Sequence, residues 1–240
     1  MANPTAAMLV IGDEILSGRT RDANMYFLAG QLTEHGLDLA EVRIVSDDAQ
    51  AIISAVQTLS GKYDHVFTSG GIGPTHDDIT ADCIAAAFGA KIDIRDDARA
   101  LLEARYEKMG MQLNEARLRM ARIPDGAVLI DNPVSTAPGF TLENVHVMAG
   151  VPDVFKAMVA SLLANLTGGA PLLSQSLRIL RGEGDIAGPL AVLAGDFPDL
   201  SIGCYPFHNN GIYGANVVVR GSKAGLINAA MTRLKQEIDL

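Results

Sequence analysis

The chain has no tryptophan, two cysteines and no surplus of positive charge, and each shortage excludes something. Cys83 and Cys204 lie far apart and outside any Cys-x-x-Cys spacing, so neither a disulfide nor a zinc site is expected, and a reducing cytoplasm is the simplest location. Lys and Arg number 19 against 28 Asp and Glu, a formal charge of −9 without a basic stripe. Phosphate contacts dominate nucleic-acid affinity, so no nucleic-acid partner is expected. No stretch reaches the ~18 unbroken apolar residues of a membrane span. The opening "MANPTAAMLVIGDE" lacks the basic region of a signal peptide, so no membrane partner is expected either. Three catalytic signatures are also missing. No Lys follows the glycines as in a P-loop, no G-x-G-x-x-G opens a dinucleotide fold, and no G-x-S-x-G presents a nucleophilic serine.

What is present is a sequence of 240 residues, 48% hydrophobic and 20% charged, long enough to bury a full core in one or two domains. Glycine, at 24 residues, exceeds the typical ~7% and points to several special turns. The acidity is uneven: 13 basic against 22 acidic residues up to Pro171, then six against six. It serves solubility, or it marks a site that recruits metal cations.

The apolar run 6–12 reads as a buried strand and 22–36, which stops at Gly36, as a helix. Strand 37–48, helix 49–61, strand 63–71 and a helix from Ile79 to Gly89 follow. This alternation predicts an α/β fold, a mostly parallel sheet with helices on both faces. Residues 95–124 read as a polar helical hairpin broken near Gly110, 127–131 and 140–150 as strands, and 152–166 as a helix with Pro152 in its first turn. "TGGAP" (167–171) separates a first domain, 4–168, from a small α+β domain, 172–240. In the latter, strand 174–182, helix 186–195, strands 200–206 and 214–220 and helix 223–238 are expected.

Open parallel sheets bind ligands beyond the carboxyl ends of their strands. The loops there are "GDEILSGRT", "SDD", "SGGIGPTHDD" and "AGVPD", all carrying Gly or Asp. Gly70, Gly71 and Gly73 let a backbone approach a phosphate, and the following helix N-terminus favours an anion. Gly12, Asp13, Glu14, Thr75 and Gly150 complete the candidate phosphate- or nucleotide-binding set. Yet Asp77 and Asp78 come at once after the glycines. Two readings stand. Thr75 and Asp78 form a capping box with acids in the first helical turn, or Asp78 with Asp77 holds Mg²⁺ or a similar divalent metal shared with phosphate oxygens. Asp47 and Asp48 are a helix cap, or Asp47 is a second ligand or a base. Asp13 and Glu14 are structural or touch ligand, Arg19 and Arg21 clamp phosphate or are solvated, and His76 carries a proton or faces solvent. His35, His65, His146 and His208 lack metal-type spacing.

At "SGGIGPTHDDIT" the chain resembles the MoaB/Mog molybdopterin-binding domain family. With "GDEILSG", "DAN", "NPVSTAPGF" and "AGVP" the pattern is closer still to the N-terminal part of competence/damage-inducible protein A (CinA), over about residues 6–166. One departure is Met148-Ala149 where such proteins usually carry Leu-Pro before Gly-Val-Pro. The amidohydrolase domain of many CinA-type proteins is not in this sequence, so deamidation of nicotinamide nucleotides is not expected. The resemblance implies metal-dependent hydrolysis of ADP-ribose or a related nucleotide pyrophosphate, with Asp47 and Asp78 catalytic. The alternatives are adenylylation of molybdopterin, or non-enzymatic binding of a pterin or nucleotide phosphate. It also implies a homo-oligomer.

Overall fold

A strand of uninterrupted apolar residues needs cover on both faces, and that requirement organises the protein. The structure is a computed structural model that describes residues 3–238. The chain divides after Gly169 into two compact units. The first contains β1 (Thr5–Ile11), α1 (Asp13–Leu16), α2 (Asn24–His35), β2 (Asp38–Val45), α3 (Ala49–Ser60), β3 (His65–Ser69), α4 (Thr80–Phe88), β4 (Ile92–Ile94), α5 (Asp96–Lys108), α6 (Glu115–Leu118), β5 (Arg122–Pro124), β6 (Val128–Ile130), β7 (Gly139–Leu142), β8 (Val145–Met148) and α7 (Pro152–Leu163).

Alternate residues of β1 belong to two separate cores. Ala7, Leu9 and Ile11 pack with Ile52, Val56 and Leu59 of α3. Ala6, Met8 and Val10 pack with Leu28 and Leu32 of α2 and Phe155 and Val159 of α7. The sheet order is β2-β1-β3-β8-β7-β6. β2, β1, β3 and β8 are parallel, and β7 pairs antiparallel with both β8 and β6. The mostly parallel sheet with helices on both faces is therefore present.

Two expected elements differ. Residues 140–150 are not one strand but the tight hairpin β7–β8, which turns at Glu143 (φ +51) without a glycine. The Asn144 amide donates to the Ser60 and Tyr63 carbonyls and anchors that turn. The second arm of the supposed hairpin at 95–124 is only α6, one 3-10 turn at Arg119–Ala121 and β5, which pairs with β4. Asn114 caps α6, its side chain accepting from the Arg117 amide, and the helix ends one turn later.

The second unit contains β9 (Leu173–Ile179), α8 (Glu183–Asp196), β10 (Ser201–Asn209), β11 (Ile212–Gly221) and α9 (Ala224–Glu237). Its antiparallel sheet has the order β10-β11-β9. Ile186 and Leu193 of α8 and Ile227, Ala230 and Leu234 of α9 cover one face through Ile179, Ala215, Val217 and Val219.

Candidate functional site

Beyond the carboxyl ends of β1, β2, β3 and β8 lies a cavity of about 520 Å³. The glycine turn after β3 forms its floor. Gly70 (φ +112) and Gly71 (φ +69) occupy a backbone region that other residues avoid. A methyl group at Gly70 would collide with the Ile11 carbonyl oxygen, and one at Gly71 with the Thr80 hydroxyl. Thr80, fully buried at the start of α4, ties the turn down. Its hydroxyl donates to the Gly70 carbonyl (3.0 Å) and its amide to the Gly71 carbonyl (2.9 Å).

The turn is tight for sheet geometry as well as for ligand approach. The Gly70 amide donates to the Met148 carbonyl at 3.1 Å, and that of Gly12 to the Val45 carbonyl at 3.1 Å. Neither amide is free to meet a phosphate, contrary to the sequence expectation for these two glycines. Gly12 and Gly70 line the cavity from buried positions by making room; Gly71 and Gly73 form the half-buried part of the turn. Gly150 lies against Gly70, 3.3 Å from its Cα to a Cβ built at Gly150.

Thr75 and Asp78 do not cap the following helix. α4 begins at Thr80, with Ile79 as its N-cap and no side-chain capping bond. Instead Asp78 Oδ2 accepts from both the Thr75 amide (2.8 Å) and the Thr75 hydroxyl (2.6 Å), while the Asp78 amide donates to the Thr75 carbonyl (3.3 Å). This closed turn ends before the helix and holds the Asp78 carboxylate above Gly73, where an added Cβ would lie 2.6 Å from Oδ2. Thr75 thus supports the site without lining it. Arg119 donates to the Asp78 carbonyl from behind (3.3 Å).

The paired aspartates after β2 divide their work. Asp48 caps α3, accepting from the Ala51 amide at 2.9 Å. Asp47 turns to the cavity, its Oδ2 held by the Asp13 amide at 2.9 Å. Asp13 therefore acts through its backbone, and Glu14 is the member of that pair whose side chain lies on the cavity wall.

Two asparagines to which the sequence assigns no role of their own complete the frame. Asn24, 4% exposed, donates to Ser69 Oγ and to the Gly150 carbonyl, both at 2.8 Å, and so fastens the loops after β3 and β8 together. Asn132 accepts from the Val134 and Ser135 amides and donates to Ser135 Oγ and the Ala137 carbonyl, closing the 132–137 loop that forms another wall. Asn at the head of a helix whose first turns are apolar, and Asn before Pro, were the available signals.

Glu14, Asp47, Asp77 and Asp78 all line this one cavity, and no Lys, Arg or His does so among the described residues. Arg19 and Arg21 are exposed on either side of Thr20, which lines the cavity, and the His76 ring is 99% exposed. Hard oxygen donors of this kind suit a small divalent cation. Among the described residues no three His, Cys, Asp or Glu side chains converge as a closed cage. The donor set therefore fits a cation that takes one or two carboxylates and completes its shell with phosphate oxygens and water. No helix among the described residues is long and apolar enough to cross a membrane.

Comparison with known proteins agrees with this division of the chain. Residues 7–169 match the family described as "Probable molybdopterin binding domain", and residues 171–240 match "FAD synthase, middle domain". A Caenorhabditis elegans protein described as "Probable FAD synthase" is 33% identical over 97% of this chain, which spans about half (49%) of that relative. A Thermococcus kodakarensis protein is 37% identical, covering 64% of this chain and 66% of its own length. The crystal structure of CinA from Thermoplasma acidophilum, a protein of unknown function, is 35% identical with a TM-score of 0.63, over 68% of this chain and 97% of its own.

Proposed function

The chain belongs to the molybdopterin-binding domain family, and from that premise we propose that it hydrolyses ADP-ribose or a related nucleotide pyrophosphate with a divalent cation, Mg²⁺ in the first instance. The observation that carries the reading is the cavity wall of four carboxylates around a glycine turn, with no basic side chain on it. An anionic phosphate enters such a wall at a Coulombic cost unless a cation stands between them.

Asp78, with Asp77, would hold that cation, which when bound supplies charge neutralisation at the phosphates and polarises the phosphorus–oxygen bonds. The chain's own groups do the positioning. The Gly71–Gly73 turn seats the pyrophosphate, and the Thr75 amide and hydroxyl fix the Asp78 carboxylate above it. Asp47, oriented by the Asp13 amide, accepts the proton of a water that attacks phosphorus. One new phosphorus–oxygen bond forms, the bridging one breaks, and two phosphomonoesters leave: AMP and ribose phosphate from ADP-ribose. The relative described as an FAD synthase supports a substrate with adenosine beside a pyrophosphate.

The test is AMP release from ADP-ribose, FAD and NADH by the pure protein across a panel of divalent metals. Asp78→Asn is expected to lower turnover on the order of a hundredfold or more while unfolding stays cooperative. Undiminished hydrolysis by that variant removes Asp78 from the mechanism. The family match also favours a second reading, adenylylation of molybdopterin. ATP consumption seen only in the presence of molybdopterin selects it, and calorimetric binding without turnover in any metal selects a pterin or nucleotide binder.

A further inference from the structure

The three strands of the second unit contain no Asp or Glu, although the whole chain carries a charge of −9. Only one face of their sheet is covered by α8 and α9. The strand register sends Arg178, Asn216, Arg220, Tyr205 and Phe207 to the other face, because their neighbours Leu177, Ala215, Val217, Val219 and Cys204 belong to the core side.

The two aromatic rings lie along the sheet rather than standing off it. A Cβ at Gly203 would come within 2.9 Å of Tyr205 Cε2 and Oη, and one at Gly214 within 2.8 Å of Phe207 Cζ. Glycine at these two outward positions is what lets the rings lie flat. The Arg178 guanidinium covers Phe207, 4.0 Å from its ring centroid. Tyr205 is 47% exposed.

We propose that this open face binds a nucleoside monophosphate, either free or as the adenylate half of a larger nucleotide, at a site separate from the cavity of the first unit. The base stacks on the Tyr205 ring, as a flat π-surface accepts any base. Arg220 receives the phosphate: it lies two residues along β11 from Val218, the partner of Gly203, a step of about 7 Å that the sugar spans. The Asn216 amide, opposite Tyr205 in the register, faces the base edge with both a donor and an acceptor. Arg220, on strands that carry no acid, meets the phosphate as an unopposed cation, while Arg178 stays over Phe207. A short patch with one open ring fits a single nucleotide better than a polynucleotide strand, which stacks successive bases and tracks a longer basic groove.

The experiment is photolabelling of the full chain with azidoadenosine monophosphate, followed by peptide mapping. The expected result is label within Ser201–Asn209, displaced by AMP and about tenfold less well by adenosine. Tyr205→Ala should reduce that label about tenfold, Tyr205→Phe should keep it, and Arg220→Gln should abolish the preference for AMP over adenosine, with circular dichroism showing each variant folded. Label confined to the first unit, label on Ser201–Asn209 indifferent to Tyr205→Ala, or displacement by a short oligoribonucleotide in preference to AMP overturns the proposal. Failure of ADP-ribose hydrolysis leaves it untouched, because the mapped peptide reports on the second unit alone.

Discussion

Gly70 shows how much of the site rests on single atoms. Its φ of +112 and the Ile11 carbonyl oxygen beside it leave no place for a side chain. Gly70→Ala is expected to destabilise the protein by about 1–3 kcal/mol, measured by chemical denaturation; an unchanged midpoint would show that the turn relaxes freely. Asn24 works at the same scale. Its amide joins Ser69 to Gly150 in a buried setting, so Asn24→Ala should cost about 1–3 kcal/mol and loosen the cavity floor, raising KM more than it lowers kcat. The glycines after β3 were legible from sequence because a Gly-Gly-x-Gly run has few other uses. That the Gly12 and Gly70 amides are already spent on Val45 and Met148 was not. A backbone partner from another strand leaves no local signature.

At the scale of elements, two adjacent aspartates illustrate what position adds to chemistry. Asp48 is the N-cap of α3 and Asp47 faces the cavity. Asp48→Ala should therefore cost about 1 kcal/mol of stability with little loss of AMP release, while Asp47→Asn should do the reverse; equal effects on both measurements from the two variants would contradict the assignment. "SDD" announces a cap before a helix but cannot say which carboxylate turns inward. The same limit hid the β7–β8 turn. The apolar alternation changes phase at Glu143-Asn144, from Phe140 and Leu142 to Val145 and Val147, but Glu143 takes a positive φ that its side chain does not advertise. The Asn144 bonds to Ser60 and Tyr63, residues distant in sequence, help to fix the reversal there.

Across the whole molecule, pH reaches the core through the stacked pair His146 and His65, both lowered by burial. His146 is 3% exposed, in hydrogen-bond contact with Thr141 Oγ1 (2.9 Å) and His65 Nδ1 (3.2 Å). Burial pushes it from its ordinary 6.5 down to about 3, with the neighbouring His65 adding to the effect. The unfolded chain takes up a proton below 6.5 and the native one does not until about 3. Stability from this group is therefore complete above 6.5 and is lost as pH falls toward 3. Glu41 adds a second loss lower down: hydrogen bonds from Tyr63, Lys62 and Arg43 hold it at about 2, against an ordinary 4.5. Thermal melts should fall from neutral pH to about pH 5, and His146→Gln should flatten that part of the profile; an equally steep fall in the variant would assign it elsewhere.

Sequence by itself determined the parallel α/β core, the glycine turn and the run of acidic residues after it, because each is a local pattern: an apolar period, a backbone freedom, a charge. Tertiary structure decided which of those acids share one cavity, which glycine amides are already bonded, and that Tyr205 and Phe207 lie flat on their sheet with Arg178 over Phe207. Those outcomes depend on strands far apart in the chain meeting in a particular register, and hydrogen-bond partners and neighbours across a sheet exist only once they have met.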